Sequence, residues 1–85
     1  MTKHDLTLAM HRGARLYFSR RRFGLERSGK VEIIPANLLK RMMNPNAPYV
    51  YLYGEVRGMK EYKLTMLGRL AAGELATREE QRDMK

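Results

Sequence analysis

Between Tyr49 and Leu70 the alternation of side chains states its own geometry. Val50, Leu52, Gly54 and Val56 alternate with Tyr49, Tyr51, Tyr53, Glu55 and Arg57, the period of a strand with one buried face. Tyr62, Leu64 and Met66 alternate with Glu61, Lys63 and Thr65 in the same way, so the two runs predict a β-hairpin. A two-residue turn at Gly58-Met59 would set Val56 beside Glu61 and Tyr53 beside Leu64, mixing the faces. A three-residue loop, Gly58 to Lys60, sets Val56 against Tyr62, Gly54 against Leu64 and Leu52 against Met66. It also opposes Arg57 to Glu61 and Glu55 to Lys63, and this is the register expected.

Upstream, Asp5 to Arg22 lies on a helical wheel with Thr2 or Asp5 as N-cap. Leu6, Met10, Ala14 and Tyr17 make the apolar stripe, and His11, Arg12, Arg15, Ser19 and Arg22 make a cationic ridge away from it. Leu8 and Leu16 fit this wheel poorly and Gly13 interrupts it, so a break there, or a strand from Ala14 to Phe23, is the alternative. Gly24 and Ser28-Gly29 bracket a turn-rich linker. Val31 to Ile34 reads as a short strand, and Pro35 to Met43 as a short helix with Ile34, Leu38 and Met42 on its inner line.

The prolines of Asn44-Pro45-Asn46-Ala47-Pro48 turn the chain into the hairpin. After it, Leu67, Leu70, Ala71, Glu74 and Leu75 keep a helical spacing with Thr65 as a cap, and Gly68 and Gly73 permit close packing. Thr77 and Glu80 match a capping box. Residues 76–85 therefore read as a separate frayed turn or a mobile tail, with Met84 alone offered to a core.

The expectation is an α+β fold in a single domain of 85 residues: N-terminal helix, short strand, short helix, β-hairpin, C-terminal helix. Charge sharpens this picture. The net charge is +8, and up to Pro48 there are 10 Lys and Arg against 3 Asp and Glu, whereas from Tyr49 onward there are 7 against 6. The N-terminal half thus carries a field that attracts a polyanion. Arg12, Arg15, Arg20, Arg21, Arg22 and Arg27 are the candidate phosphate contacts. On the outer face of the short helix, Asn37, Lys40, Arg41 and Asn44 have the chemistry of base readout: Asn pairs with adenine, Arg with guanine, and Lys reaches phosphate. Tyr49, Tyr51 and Tyr53 form a row that could stack on bases, anchor a protein partner, or be covered by the chain's own helices.

Zero cysteines exclude disulfides and thiolate metal sites. No stretch reads as a signal peptide or membrane span, so a cytoplasmic protein is expected. His4 and His11 lie off any metal-ligand spacing, and there is no cysteine nucleophile or glycine-rich phosphate loop. No metal, cofactor or catalytic residue is expected, and the chain reads as a non-enzyme.

From Pro35 to Leu75 a resemblance adds to this reading. A polar-faced helix, a hairpin, then Tyr62-Lys63-Leu64-Thr65 with Gly68-Arg69 resembles the end of winged helix-turn-helix DNA-binding domains. In those domains the wing's second strand often closes with Tyr-x-Leu-Thr-x-x-Gly and runs into a helix. The resemblance implies a winged-helix-like fold with two helices ahead of the wing. It makes Asn37, Lys40, Arg41 and Asn44 part of a recognition helix, and Arg57 and Lys60 the wing tip. The favoured function is a small DNA-binding regulator of transcription, with a homodimer suited to a palindromic site. The alternatives are an inhibitor or adaptor of the phage or mobile-element kind that docks on a host protein through the Tyr row, and an RNA-binding or ribosome-associated protein.

Overall fold

The computed structural model describes residues 1–83, with side chains described as far as Arg78. Along the chain come α1 (Lys3–His11), β1 (Arg15–Ser19), β2 (Arg22–Arg27), β3 (Lys30–Ile34), α2 (Ala36–Met42), β4 (Val50–Val56), β5 (Met59–Leu64) and α3 (Met66–Asp83). The fold is α+β, as expected. Its strands form one antiparallel sheet in the order β3-β2-β1-β5-β4, so a three-stranded meander and a hairpin meet where β1 pairs with β5.

Thr2 caps α1: its hydroxyl accepts from the Asp5 N–H at 3.1 Å, and the Asp5 carboxylate accepts from the Thr2 N–H at 2.9 Å. These backbone and side-chain hydrogen bonds hold the Asp5 carboxyl below its ordinary value. The expected run of helix to Arg22 does not occur. The Gly13 N–H donates to the Met10 carbonyl and the Ala14 N–H to the Ala9 carbonyl, a Schellman ending that needs Gly13 at φ 102°. Beyond it the chain is extended, as in the alternative, but as the hairpin β1–β2 with a turn at Arg20-Arg21 and not as one strand from Ala14 to Phe23, because Leu16, Phe18 and Phe23 find partners across a sheet that a lone helix would leave half exposed. The expected linker from Gly24 is likewise strand β2 and the turn into β3.

All three hairpins close with two-residue turns in which both central residues have positive φ: Arg20-Arg21 (51° and 63°), Ser28-Gly29 (53° and 78°) and Arg57-Gly58 (53° and 78°). The three-residue loop expected at Gly58 to Lys60 is therefore corrected. Val56 faces Met59, Glu55 faces Lys60 and Gly54 faces Glu61. A bulge at Tyr53 then shifts the register, so that Leu52 faces Tyr62 and Val50 faces Leu64. The bulge resolves the mixed faces that a two-residue turn otherwise imposes, because it moves one strand by a residue and restores apolar pairing.

On the inner sheet face Leu16, Leu25, Ile34, Val50 and Leu64 pack against Leu6, Ala9 and Met10 of α1 and Leu38, Leu39 and Met42 of α2. Leu6, Leu16, Leu25, Leu39 and Met42 are fully buried. Thr7, also buried, donates its hydroxyl to the Lys3 carbonyl at 2.7 Å and lies 3.4 Å from the Met42 sulfur, which ties α1 to α2.

The helix α3 is capped by Thr65, whose hydroxyl accepts from the Gly68 N–H at 3.0 Å and donates to the Pro48 carbonyl at 2.6 Å. The side it buries differs from the expected spacing. Gly68 and Ala72 face inward, whereas Leu67 and Leu70 are exposed. The reason is close approach: a Cβ on Gly68 would collide with the Tyr49 carbonyl oxygen, so only the small-residue side can dock. Met66, expected opposite Leu52 in the hairpin, is instead the exposed first residue of α3. Thr77 starts no separate turn, since its hydroxyl donates to the Gly73 carbonyl at 2.9 Å within a helix continuous to Asp83. Met84 lies outside the described residues.

Between α1 and α2 lie three strands and no second helix. The two helices ahead of a hairpin that a helix-turn-helix requires are therefore not consecutive in this chain. No helix among the described residues is long and apolar enough to cross a membrane.

Candidate nucleic-acid interface

Sheet topology brings together basic residues that are distant in sequence. Since β1 pairs with β5 through Phe18 and Lys60, the Arg20-Arg21 turn and the Arg57-Gly58 turn lie side by side at one end of the sheet. Arg20, Arg21, Arg22, Arg57 and Lys60 are all exposed there. One carboxylate, Glu55, stands opposite Lys60. Three of the residues expected as phosphate contacts, Arg20, Arg21 and Arg22, and the two expected as a wing tip thus form a single cationic end.

The remaining arginines of the expected phosphate set lie elsewhere. Arg12 caps the C-terminus of α1 and shares a shallow cleft with Asp5, Arg27 and Glu32. Arg27 also lines a second cleft with Arg12, Arg15 and Glu26. Carboxylates are therefore interleaved with cations at this end of the sheet, and the field there is weaker than at the turn end.

On α2, Leu38, Leu39 and Met42 are buried, while Asn37, Lys40 and Arg41 are exposed on the outward side and Asn44 is exposed just beyond the helix. Because β3 ends beside Phe23, α2 starts at the turn end of the sheet and runs away from it. Asn37 lies in its first turn, toward that end. Asn44 turns its side chain to the backbone, its carbonyl oxygen accepting from the Asn46 N–H at 3.0 Å.

The outer face of the sheet carries no covering helix among the described residues. Alternation and register place Arg15, Tyr17, Ser19, Arg22, Gly24 and Glu26 on it from β1 and β2, with Glu26 opposite Arg15, and Glu61 and Lys63 on it from β5. Val31, Ile33, Tyr51, Tyr53 and Val56 are exposed on the same side. The Arg15 guanidinium is pushed above its ordinary value first by a hydrogen bond to Tyr17, then by the nearby charges of Tyr17 and Glu61. Glu61, central on this face between Tyr17 and Gly54, is buried at 8% exposure.

The expected row of three tyrosines divides. Tyr49 leaves the sheet, packs against the core and takes the Lys3 ammonium over its ring at 3.9 Å. Tyr51 and Tyr53 stay on the open face, 43% and 56% exposed, and Lys63 holds its ammonium 3.7 Å from the Tyr53 ring centre. Neither family models, curated proteins nor solved structures match this chain.

Sequence reading missed Tyr17 and Arg15 as its partner, whereas Lys63 was expected beside the Tyr row and is found on Tyr53. The spacing of Arg15 and Tyr17 was a usable signal, since residues two apart share a face only in a strand. His4 and His11 are exposed on α1, and no group of three His, Cys, Asp or Glu among the described residues could hold a metal ion.

Proposed function

We propose that this protein binds nucleic acid, and that its primary contact is made by the cationic end of the sheet with backbone phosphates. The observation that carries this reading is the convergence of Arg20, Arg21, Arg22, Arg57 and Lys60 from two turns, all exposed. Basic groups scattered over a surface serve solubility. A cluster in which, among the described residues, Glu55 alone is paired across the ladder with a cluster cation must overcome its own repulsion in the free protein, and a polyanion relieves that repulsion. A small regulator acting on DNA or RNA is the use that fits an 85-residue chain with a net charge of +8.

Salt provides the test. Affinity for a mixed nucleic-acid probe should fall log-linearly between ~50 and ~200 mM salt. Changing Arg20, Arg21 and Arg22 together to Ala should flatten that slope, whereas Arg12→Ala with Arg27→Ala should change it little. Equal effects from the two sets would reject the cationic end as the phosphate site.

A second reading keeps the duplex reader of the sequence, supported by the exposure of Asn37, Lys40 and Arg41 along one side of α2. It predicts that Asn37→Ala and Arg41→Ala weaken binding to one duplex sequence far more than to others.

A further inference from the structure

The open sheet face takes single-stranded nucleic acid, we propose, with Tyr51 and Tyr53 as the rings on which successive unpaired bases stack. This inference rests on the nucleic-acid reading above and adds the form of the ligand. Tyr51 and Tyr53 stand two residues apart on β4, on the side away from the core. That spacing is about 6.6 Å along a strand. Stacked bases rise only about 3.4 Å per nucleotide, so two neighbouring bases can occupy both rings only when unstacked from each other.

The surroundings suit such a ligand. The Lys63 ammonium sits over one face of the Tyr53 ring, 3.7 Å from its centre, and the residue stays 56% exposed, so a base has the opposite face to stack on. The bulge sets Gly54 beside Tyr53 opposite Glu61, and nothing lies within 4 Å of where a Gly54 Cβ would stand. A base approaching Tyr53 therefore meets no neighbouring side chain at that position. From Tyr17, at the same level of the sheet, β1 leads in three residues to Arg20, a distance of about 10 Å. A strand with bases over β4 can thus run its phosphates toward the arginine turns. Charge complementarity favours a polyanion over an apolar protein surface: Arg15, Arg22 and Lys63 outnumber Glu26 and Glu61 on this face, and Arg20, Arg21 and Arg57 stand at its end. A duplex hides the faces of its bases and cannot use the rings.

The experiment compares labelled single strands of about twelve nucleotides, oligo-uridylate and oligo-thymidylate, with a duplex of equal length by fluorescence anisotropy. Tyr51→Ala with Tyr53→Ala should weaken single-strand binding about tenfold to a hundredfold and leave duplex binding unchanged. Tyr51→Phe with Tyr53→Phe should bind as the unaltered protein does. The chain has 5 Tyr and no Trp, so quenching of its intrinsic fluorescence by the single strand reads stacking in the unaltered protein, independent of how the variants fold. Tighter binding of uridylate than thymidylate assigns the ligand as RNA, and the reverse as DNA; either supports the inference.

Duplex binding as tight as single-strand binding, or an alanine variant that binds single strands normally, overturns the stacking site. If the arginine variants still lose salt-dependent affinity in that case, the phosphate reading survives alone. No binding to any nucleic acid, with a discrete protein retained through Tyr51 and Tyr53, would overturn both.

Discussion

The turn Arg20-Arg21 holds two L-residues at φ 51° and 63°, where two-residue hairpin turns favour Asn-Gly. Left-handed backbone costs an L-residue roughly 1–2 kcal/mol, which Arg21→Gly removes. Glycine's wider freedom in the unfolded chain takes back about 0.4–1 kcal/mol. Arg20→Asn adds about 0.5 kcal/mol, because a short polar side chain tolerates this conformation better. The double change should therefore stabilise the fold by about 1 kcal/mol, a rise of about 4–8 °C in Tm for a domain of this size. The same change should weaken binding, lowering the slope of log affinity against log salt by about 0.9 per lost phosphate contact on a duplex and about 0.7 on a single strand. Calorimetry or circular dichroism reads the first effect and a salt series of anisotropy titrations the second. A more stable protein that binds less well would mean that this turn trades stability for charge. An unchanged or lower Tm would refute the strain argument, and an unchanged slope would refute phosphate contact at this turn.

Two glycines of α3 should respond in opposite directions to alanine. Gly68→Ala should destabilise by about 1–3 kcal/mol through collision with the Tyr49 carbonyl, and Gly73→Ala, facing open space, should stabilise by about 0.5–1 kcal/mol; chemical denaturation checks both. The Asp5 carboxyl, held below its ordinary value of 3.8 by Thr2, stabilises α1 fully above that value and loses the contribution as pH falls through its lower folded value. The difference in Tm between the unaltered protein and Asp5→Ala should accordingly close in acid and stay open at neutral pH. Glu61→Gln removes a negative charge from the middle of the open face and should raise affinity for a polyanion about twofold at low salt, an effect that salt screens away.

Much of this arrangement is legible in the chain, and the exceptions have causes. The helix from Pro35 and the inward Leu38 and Met42 follow from periodicity and proline chemistry, and both are found. So are the cap by Thr65 and the strands on either side of Gly58. The first hairpin escaped because its turn is Arg-Arg, which carries no turn signal and, joined to Arg22, reads as a charged helix face. The second hairpin's register escaped because the Tyr53 bulge adds a residue to β4 that no alternation pattern reveals. At the candidate site, Arg20, Arg21, Arg22, Arg57, Lys60, Tyr51 and Tyr53 were all visible as residue types. Their grouping was not, since two separate sequence clusters meet only through the pairing of β1 with β5.

The sequence by itself determined what depends on near neighbours: that a helix starts near Thr2 or Asp5, that a helix follows Pro35, that Tyr49 to Leu64 folds back on itself, and that the charge is strongly positive. Tertiary structure alone decided that the segment after Gly13 is strand, that α3 docks by Gly68 and Ala72 and leaves Leu67 and Leu70 in solvent, and that two turns merge into one cationic end. The physical reason is range. Caps, prolines and periodicity act within a turn or two of chain, whereas sheet pairing and backbone approach reward contacts between residues some forty positions apart, as between Phe18 and Lys60.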